Sequence, residues 1–342
     1  MRLGPATPAT ATTDGPKIPE LISCLGPADL EAQLRRDALE GLTAPVKTIP
    51  SKWFYDYTGS MLFDEITRLP EYYLTRAERQ ILRERAASIV EVTRADTLVE
   101  LGCGLSEKTR VLLDAFGRTG DLRRFLPFDV DGEVLKLAAA QLLERYPDLE
   151  VQGIVGDFER HLDAIKVPGR SLVIFLGSTI GNLNRPQRAR LLSQISSSLK
   201  PGDWFLLGVD LVKDVERLEA AYNDRAGISA AFNRNILSVL NSRLGGNFDV
   251  DSFEHVARFN SGTEEMEMCL KACGPQNVRL DSLDLEVSFK DSELLHTEIS
   301  AKFRRPGIEG ELAEAGLQPR RWWTDAGEDF ALSLSEKSGR PL

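Results

Sequence analysis

Between residues 97 and 210, short apolar runs alternate with stretches of helical spacing. The runs are nearly continuous in apolar residues, as in strands buried on both faces, whereas the stretches between them repeat every three or four positions. The runs predict strands at 97–101, 124–130, 149–155, 171–176 and 204–209. Strands and helices that alternate in this way predict a parallel sheet with right-handed crossover connections.

A glycine-rich turn follows the first of these strands. Gly102 and Gly104 let the backbone approach a ligand with no Cβ in the way, and Ser106 is a candidate N-cap for the next helix. Glu107 argues against two phosphate sites, because a phosphate-binding loop and a dinucleotide fingerprint both require glycine at that position. The turn is compatible with a nucleoside ligand that has no phosphate chain, such as S-adenosylmethionine, and also with a purely structural role.

Polar side chains lie at the ends of all these strands: Glu100, Asp129, Asp157, Asn182 and Asp210. Ligands of parallel sheets bind beyond the carboxyl ends of the strands. Asp129 is placed to accept ribose hydroxyls, although it could instead cap the next helix, a role for which Asp131 competes. Asp157 and Phe158 could present a carboxylate and a ring to adenine, or could simply form a turn. Taken together in this order, Asp129 and the Asp157–Phe158 pair favour a nucleoside cofactor.

The segments on either side have other patterns. Helical spacing covers 28–42, aromatic residues follow one another at 53–55, and Thr75 with Glu78 matches a capping box at the start of a helix. The aromatic cluster could be ordinary core or a lid over a small-molecule pocket.

After residue 210 the alternation stops. The predicted elements there are helices at 214–224, 226–244 and 308–315, alternating strands within 253–289, and strands at 318–323 and 329–335. We therefore expect an α/β protein with an inserted α+β domain. The expected units are a disordered tail (1–20), a substrate-binding domain (21–75 and 212–302) and an S-adenosylmethionine-binding domain (76–211 and 303–342).

The amino-acid composition limits the classes of partner that this protein can bind. Acidic residues outnumber basic ones, 52 to 42, and the net charge of −10 disfavours a nucleic-acid partner. No apolar run reaches membrane-spanning length, and the N-terminus lacks a signal-peptide core. The four cysteines and three histidines have no zinc-type spacing, which indicates free thiols and no metal site. We expect a cytoplasmic monomer with a small-molecule substrate.

Blocks at 72–78, 100–109, 175–182, 208–213 and 298–303 resemble the L-histidine Nα-methyltransferases of ergothioneine biosynthesis. The block Glu-Ile-Ser-Ala-Lys-Phe at 298–303 is much more specific than the glycine turn. The likeness runs from about residue 50 to the last strand, and the visible departures are Cys103 and the N-terminal tail. The resemblance implies a Rossmann-like class I methyltransferase sheet, S-adenosylmethionine as cofactor, and trimethylation of the α-amine of histidine to hercynine.

The resemblance also implies roles for individual residues. The cofactor residues would be Gly102, Lys108, Asp129, Asp157 and Phe158. The substrate residues would be Tyr72, Gly177, Asn182, Tyr222, Met268, Glu298 and Ser300, with Phe63 also lining the pocket. Asn182 and Tyr222 would bind the substrate carboxylate, and Tyr55 would lie near the amine. Tyr55 and Asn182 are the catalytic candidates, although no residue stands out as a strong general base.

Elementary chemistry supports the imidazole site. Glu298 and Ser300 are two residues apart on an extended segment, so their side chains point the same way and can engage both ring nitrogens. Without the resemblance, a solvated strand edge is the simpler interpretation. Glu298 also argues against tryptophan or tyrosine as the substrate, and the intact substrate residues argue against a non-catalytic S-adenosylmethionine-binding regulator.

Overall fold

The computed structural model describes residues 20–104, 108–162 and 169–339. The strands in this part of the chain are β1 (Glu20–Ser23), β2 (Lys47–Thr48), β3 (Thr97–Leu101), β4 (Arg124–Asp129), β5 (Glu150–Val155), β6 (Ser171–Phe175), β7 (Trp204–Asp210), β8 (Phe253–Asn260), β9 (Glu265–Ala272), β10 (Gln276–Leu280), β11 (Leu285–Phe289), β12 (Leu294–Ala301), β13 (Leu317–Thr324) and β14 (Phe330–Lys337). The α-helices are α1 (Pro27–Thr43), α2 (Tyr57–Ile66), α3 (Leu74–Thr93), α4 (Thr109–Thr119), α5 (Gly132–Arg145), α6 (Arg185–Ser198), α7 (Val215–Tyr222), α8 (Ile228–Leu244) and α9 (Arg305–Glu314).

The main sheet has eight strands in the order β1-β5-β4-β3-β6-β7-β14-β13. The pairs from β1 to β7 are parallel, and β14 pairs antiparallel with both β7 and β13. The predicted parallel strands and the closing pair of strands are confirmed. Strands β3 and β6 are buried along their whole length, as their nearly continuous apolar sequences require.

The N-terminal boundary of the predicted domains is wrong. Glu20 was assigned to the tail and residues 21–23 to the substrate-binding domain, but together they form β1, which pairs with β5 at the edge of the main sheet. This strand has only four residues and is largely exposed, so it lacks the apolar run by which the inner strands are predicted. The predicted tail at 1–19 and the predicted cap Ser106 lie outside the described residues.

The insertion forms separate sheets. Strands β2, β12, β9 and β8 make a four-stranded sheet, and β10 and β11 form a two-stranded hairpin. The last strand, β12, packs against the turn that follows β6, so closely that a Cβ added to Gly181 would lie 2.8 Å from the carbonyl oxygen of Ala301. The insertion therefore meets the main sheet at the carboxyl end of β6.

Two helix caps agree with the sequence patterns and one does not. Asn184 caps α6 in a capping box with Gln187, and Asp131 caps α5 by accepting from the backbone of Glu133 and Val134. The predicted capping box at Thr75 is wrong, because α3 begins at Leu74 and no side chain caps it. The partner in that pattern, Glu78, is completely buried and bonds elsewhere.

No helix in the described residues has both the length and the apolar character needed to cross a membrane. In the same residues, no group of three or more His, Cys, Asp or Glu side chains is arranged to hold a metal ion.

Candidate active site

A cavity opens where the turn after β6 meets the insertion. It is lined by Tyr55, Phe63, Ile66, Tyr72, Gly177, Ser178, Thr179, Asn182, Ala221, Tyr222, Ser229, Phe232, Met268, Glu298 and Ser300. The turn at 177–182 comes from the main sheet, whereas β9 and β12 supply side chains from the insertion. Gly177 and Ser178 both have left-handed backbone conformations, with φ of 79° and 60°, which bend the chain sharply at the end of β6.

Aromatic rings form one wall of this cavity. Phe63 lies edge-on to Tyr55 and Tyr72, with ring centroids 5.6 Å and 6.2 Å apart, and Tyr72 lies 6.5 Å from Tyr222. Burial, with a smaller contribution from the nearby Glu298 carboxylate, raises the pKa of the Tyr55 hydroxyl well above 10. The pKa of Tyr72 and that of Tyr222 are raised as well, chiefly by burial. These phenols therefore keep their protons at neutral pH and act as hydrogen-bonding groups.

Glu298 is the acidic group of the cavity. Burial raises the pKa of its carboxyl group from 4.5 to about 7, and the ammonium of Lys302 opposes this shift. In the described part of the chain, no side chain makes a hydrogen bond to this carboxyl group. Such a group is available to a ligand, and leaving it without one is unfavourable when it is charged.

A buried polar cluster lies behind Tyr222 and Ser300. The Tyr222 hydroxyl is 2.8 Å from the Ser300 hydroxyl. Lys302 Nζ donates to both, at 2.7 Å and 2.9 Å, and pairs with Asp210 at 2.9 Å. Asp210 also accepts from the Tyr73 hydroxyl at 2.9 Å. The side chains of Lys302 and Asp210 have no solvent exposure, so this arrangement is fixed by the core.

The glycine turn faces the end of the neighbouring strand. Gly102 and Gly104 have φ of 67° and 48°, and the Gly104 N–H donates to the Asp129 carboxylate at 2.9 Å. Burial raises the pKa of Asp129, while the backbone N–H groups of Gly104 and Asp131 oppose this. Since Asp131 caps α5, the alternative of Asp129 as the helix cap is excluded.

Asp157 and Phe158 lie at the end of the next strand along the edge. An Asp157 oxygen accepts from Gln33 Nε2 at 3.0 Å and lies 3.6 Å from Lys52 Nζ. The Phe158 ring packs edge-on against Phe175, with centroids 5.2 Å apart. Helix α1 thus contacts the carboxylate that the sequence assigns to adenine.

Glu78 connects the two halves of the site. One of its carboxylate oxygens accepts the Gly177 N–H at 2.7 Å, and the other pairs with Lys108. The predicted cofactor residue Lys108 is therefore directed toward Glu78 and the substrate turn.

The family model for the S-adenosylmethionine-dependent, histidine-specific methyltransferases matches residues 34–337. The chain belongs to this family. It is 57% identical to the histidine N-alpha-methyltransferase of Mycolicibacterium smegmatis over 90% of this chain and 96% of that protein. It is 55% identical to the Mycobacterium tuberculosis enzyme of the same name, covering 89% and 95% of the two chains. Ergothioneine biosynthesis protein 1 of Schizosaccharomyces pombe is 33% identical over 74% of this chain, which covers 34% of the yeast protein.

The fold of this histidine-specific methyltransferase is of the predicted class. Parallel strands closed by an antiparallel pair form the Rossmann-like class I methyltransferase sheet that the sequence predicts. The cavity brings together Phe63 and all the predicted substrate and catalytic residues: Tyr55, Tyr72, Gly177, Asn182, Tyr222, Met268, Glu298 and Ser300. Their individual roles stay predictions.

The cofactor residues do not line this cavity. Gly102 and Asp129 come together at the glycine turn, while Lys108 bonds to Glu78 and Asp157 to Gln33. Sequence reasoning missed the supporting residues Glu78 and Lys302. Both residues lie in blocks that carry the family resemblance, at 72–78 and 298–303. Their place in these blocks is the sequence feature by which they could have been found.

Proposed function

We propose that the protein transfers methyl groups from S-adenosylmethionine to the α-amine of L-histidine until hercynine forms, as the first step of ergothioneine biosynthesis. The main support is the carboxyl group of Glu298, which accepts no side-chain hydrogen bond from the described residues and lines a cavity together with Ser300 and Asn182. A group with a pKa of about 7 can accept an imidazole N–H as a carboxylate or donate its proton as an acid. An indole or phenol substrate offers no matching pair of ring nitrogens, so the carboxyl group would be left poorly paired.

The glycine turn fits the nucleoside of S-adenosylmethionine. A Cβ added to Gly102 or Gly104 would meet no atom of the described residues within 4 Å, so no described side chain occupies the space beside this backbone. Asp129 at the end of β4 keeps lone pairs for ribose hydroxyls beyond the bond from Gly104. We assign Gly102, Asp129, Asp157, Phe158 and Lys108 to this ligand. When bound, S-adenosylmethionine supplies an electrophilic methyl group on a positively charged sulfur.

The protein's part in the reaction is chiefly positioning. The α-amine must be unprotonated to attack, and the α-amine of a free amino acid is mostly protonated in water at neutral pH. Enclosure by aromatic rings lowers the pKa of the amine by disfavouring the charged form. Because Tyr55 remains a phenol, its oxygen can accept an amine N–H and orient the lone pair, but it is not a phenolate base. We assign the acceleration mainly to alignment of amine and methyl group.

Asn182 and Tyr222 would bind the carboxylate of the substrate, and Glu298 and Ser300 its imidazole. We propose that the chain has two structural units, one for each ligand. The insertion and residues 24–75 form most of the unit that binds the substrate. We also propose that the chain acts as a cytoplasmic monomer without a nucleic-acid partner. All four cysteines are among the described residues and none forms a disulfide, as expected in a reducing compartment.

A product assay tests the proposed function. The purified protein is incubated with S-adenosylmethionine and each of the twenty amino acids in turn, and methylated products are identified by mass. We expect mono-, di- and trimethylated histidine, with hercynine as the end product. Methylation of another amino acid in preference to histidine, or of none, would contradict the proposal. Glu298→Ala is the matched variant and should lose histidine turnover while retaining S-adenosylmethionine binding.

A further inference from the structure

We propose that Lys302 is a positioning residue that sets the direction of the hydroxyl protons of Tyr222 and Ser300, and so makes this wall of the cavity selective for a substrate carboxylate. The inference rests on the proposed function, because the carboxylate in question is that of the amino-acid substrate. Lys302 itself does not line the cavity and acts through the two hydroxyl groups.

The donors of Lys302 are all accounted for. An ammonium has three N–H donors and no acceptor. Its partners are Asp210 Oδ2, the Tyr222 hydroxyl and the Ser300 hydroxyl, at 2.9, 2.7 and 2.9 Å. Both hydroxyl oxygens therefore accept from Lys302, and neither can direct its own proton back toward the ammonium.

Two hydroxyl protons then remain for Tyr222 and Ser300. The oxygens are 2.8 Å apart, so one proton is used in the hydrogen bond between them. Within the described part of the chain, no acceptor is bonded to the other proton, which is therefore left to point into the cavity. A substrate carboxylate at Tyr222 takes this proton, which requires Ser300 to donate to Tyr222 and leaves Ser300 with a lone pair for an imidazole N–H.

The charges behind this wall favour an anion as well. Asp210 is shared by Lys302 and Lys213, and all three side chains are at least nine-tenths buried. Of the two ammonium groups, only that of Lys302 bonds to the hydroxyl pair, at 2.7 Å and 2.9 Å, so its positive charge lies next to the group that would meet the anion. Lys213 bonds to the Tyr73 hydroxyl and to the carbonyl of Leu211, not to Tyr222 or Ser300, and it therefore provides a matched control.

Binding of two ligands tests the inference. L-histidine and L-histidinamide differ in having a carboxylate or a neutral amide, and their dissociation constants are measured by calorimetry for the wild type, Lys302→Met and Lys213→Met. We expect the preference for histidine over histidinamide to fall at least tenfold in Lys302→Met and to change less than threefold in Lys213→Met. A purely structural role would weaken both ligands equally, so an unchanged preference in Lys302→Met, or equal losses in both variants, would overturn the inference.

A second variant covers the case in which Lys302→Met does not fold. If Lys302→Met does not fold, the double variant Asp210→Asn/Lys302→Met removes both charges of the buried pair, and the same tenfold fall or its absence decides the question. Failure of the wild type to methylate histidine would instead contradict the proposed function, and this is established before any variant is measured.

Discussion

The carboxylate of Glu78 accepts the backbone N–H of Gly177 at 2.7 Å, although the two residues are 99 positions apart. Its other oxygen pairs with Lys108, immediately before α4. A single buried carboxylate thus connects α3, the turn after β6 and the start of α4. This connection links the glycine turn, where we place the cofactor, to the turn that lines the substrate cavity.

Glu78→Gln should destabilise the protein and weaken catalysis. The amide has one acceptor oxygen, so when that oxygen accepts the Gly177 N–H, the NH2 group faces the Lys108 ammonium and the ion pair is lost. We expect a loss of about 1–3 kcal/mol in the free energy of unfolding, measured by chemical denaturation. Glu84→Gln, at an exposed position of the same helix, should change it by less than about 0.5 kcal/mol. Equal stabilities for the two variants would contradict the role of Glu78.

Local patterns predicted the parallel core because inner strands and amphipathic helices carry strong periodic signals. Strands β3 to β7 lie within one or two residues of their predicted bounds, and Asp131, the competing candidate for the cap of α5, does cap that helix. The edge strand β1 was missed because its stability comes from pairing with β5 and not from its own sequence. Its exposed residues give no periodic signal.

Glu78 shows why the site was predicted only in part. Its spacing from Thr75 matches a capping box, but tertiary contacts with Gly177 and Lys108 determine where its side chain lies. Lys302 was likewise visible only as part of a family block. The residues of the cavity wall were found through the resemblance, whereas the buried groups that hold them depend on distant parts of the chain.

Asp129→Asn should impair cofactor binding and spare substrate binding. The carboxylate accepts the Gly104 N–H and is assigned to ribose hydroxyls, and a neutral amide binds these donors less strongly. A loss of about 1–3 kcal/mol corresponds to an increase of roughly five- to 150-fold in the KM for S-adenosylmethionine. The control is Asp131→Asn, since asparagine is an equally good N-cap for α5. A larger effect on the KM for histidine than on that for S-adenosylmethionine would contradict the assignment.

Glu298→Gln should change the pH dependence of stability. The folded protein holds the Glu298 proton up to pH about 7, whereas the unfolded chain releases it near 4.5. This carboxyl group therefore lowers stability as the pH rises through that window, by up to about 3 kcal/mol above it. Glutamine does not titrate, so the ligand-free variant should gain stability relative to wild type between pH 5 and pH 8. Stability profiles that stay parallel for wild type and Glu298→Gln over this pH range would contradict the prediction.

Gly181→Ala should separate the two walls of the cavity. An added Cβ would lie 2.8 Å from the Ala301 oxygen and 3.2 Å from its nitrogen, and these are backbone atoms that cannot rotate away. The turn that carries Asn182 must then move away from β12, which carries Glu298. We expect histidine affinity to fall at least tenfold, measured by calorimetry. In Gly310→Ala, the added Cβ in α9 meets no atom of the described residues within 4 Å, so this variant should stabilise the protein by about 0.5–1 kcal/mol without changing affinity.

Asn182→Asp should act through charge on the substrate carboxylate. Asn182 lines the cavity, and an aspartate of the same shape would repel an anionic group placed there. We expect the dissociation constant for L-histidine to rise at least a hundredfold and that for L-histidinamide to change much less. Asn184→Asp is the control, because it adds the same charge two residues away and aspartate caps α6 as well as asparagine does. If both ligands weaken equally in Asn182→Asp, the substrate carboxylate lies elsewhere in the cavity.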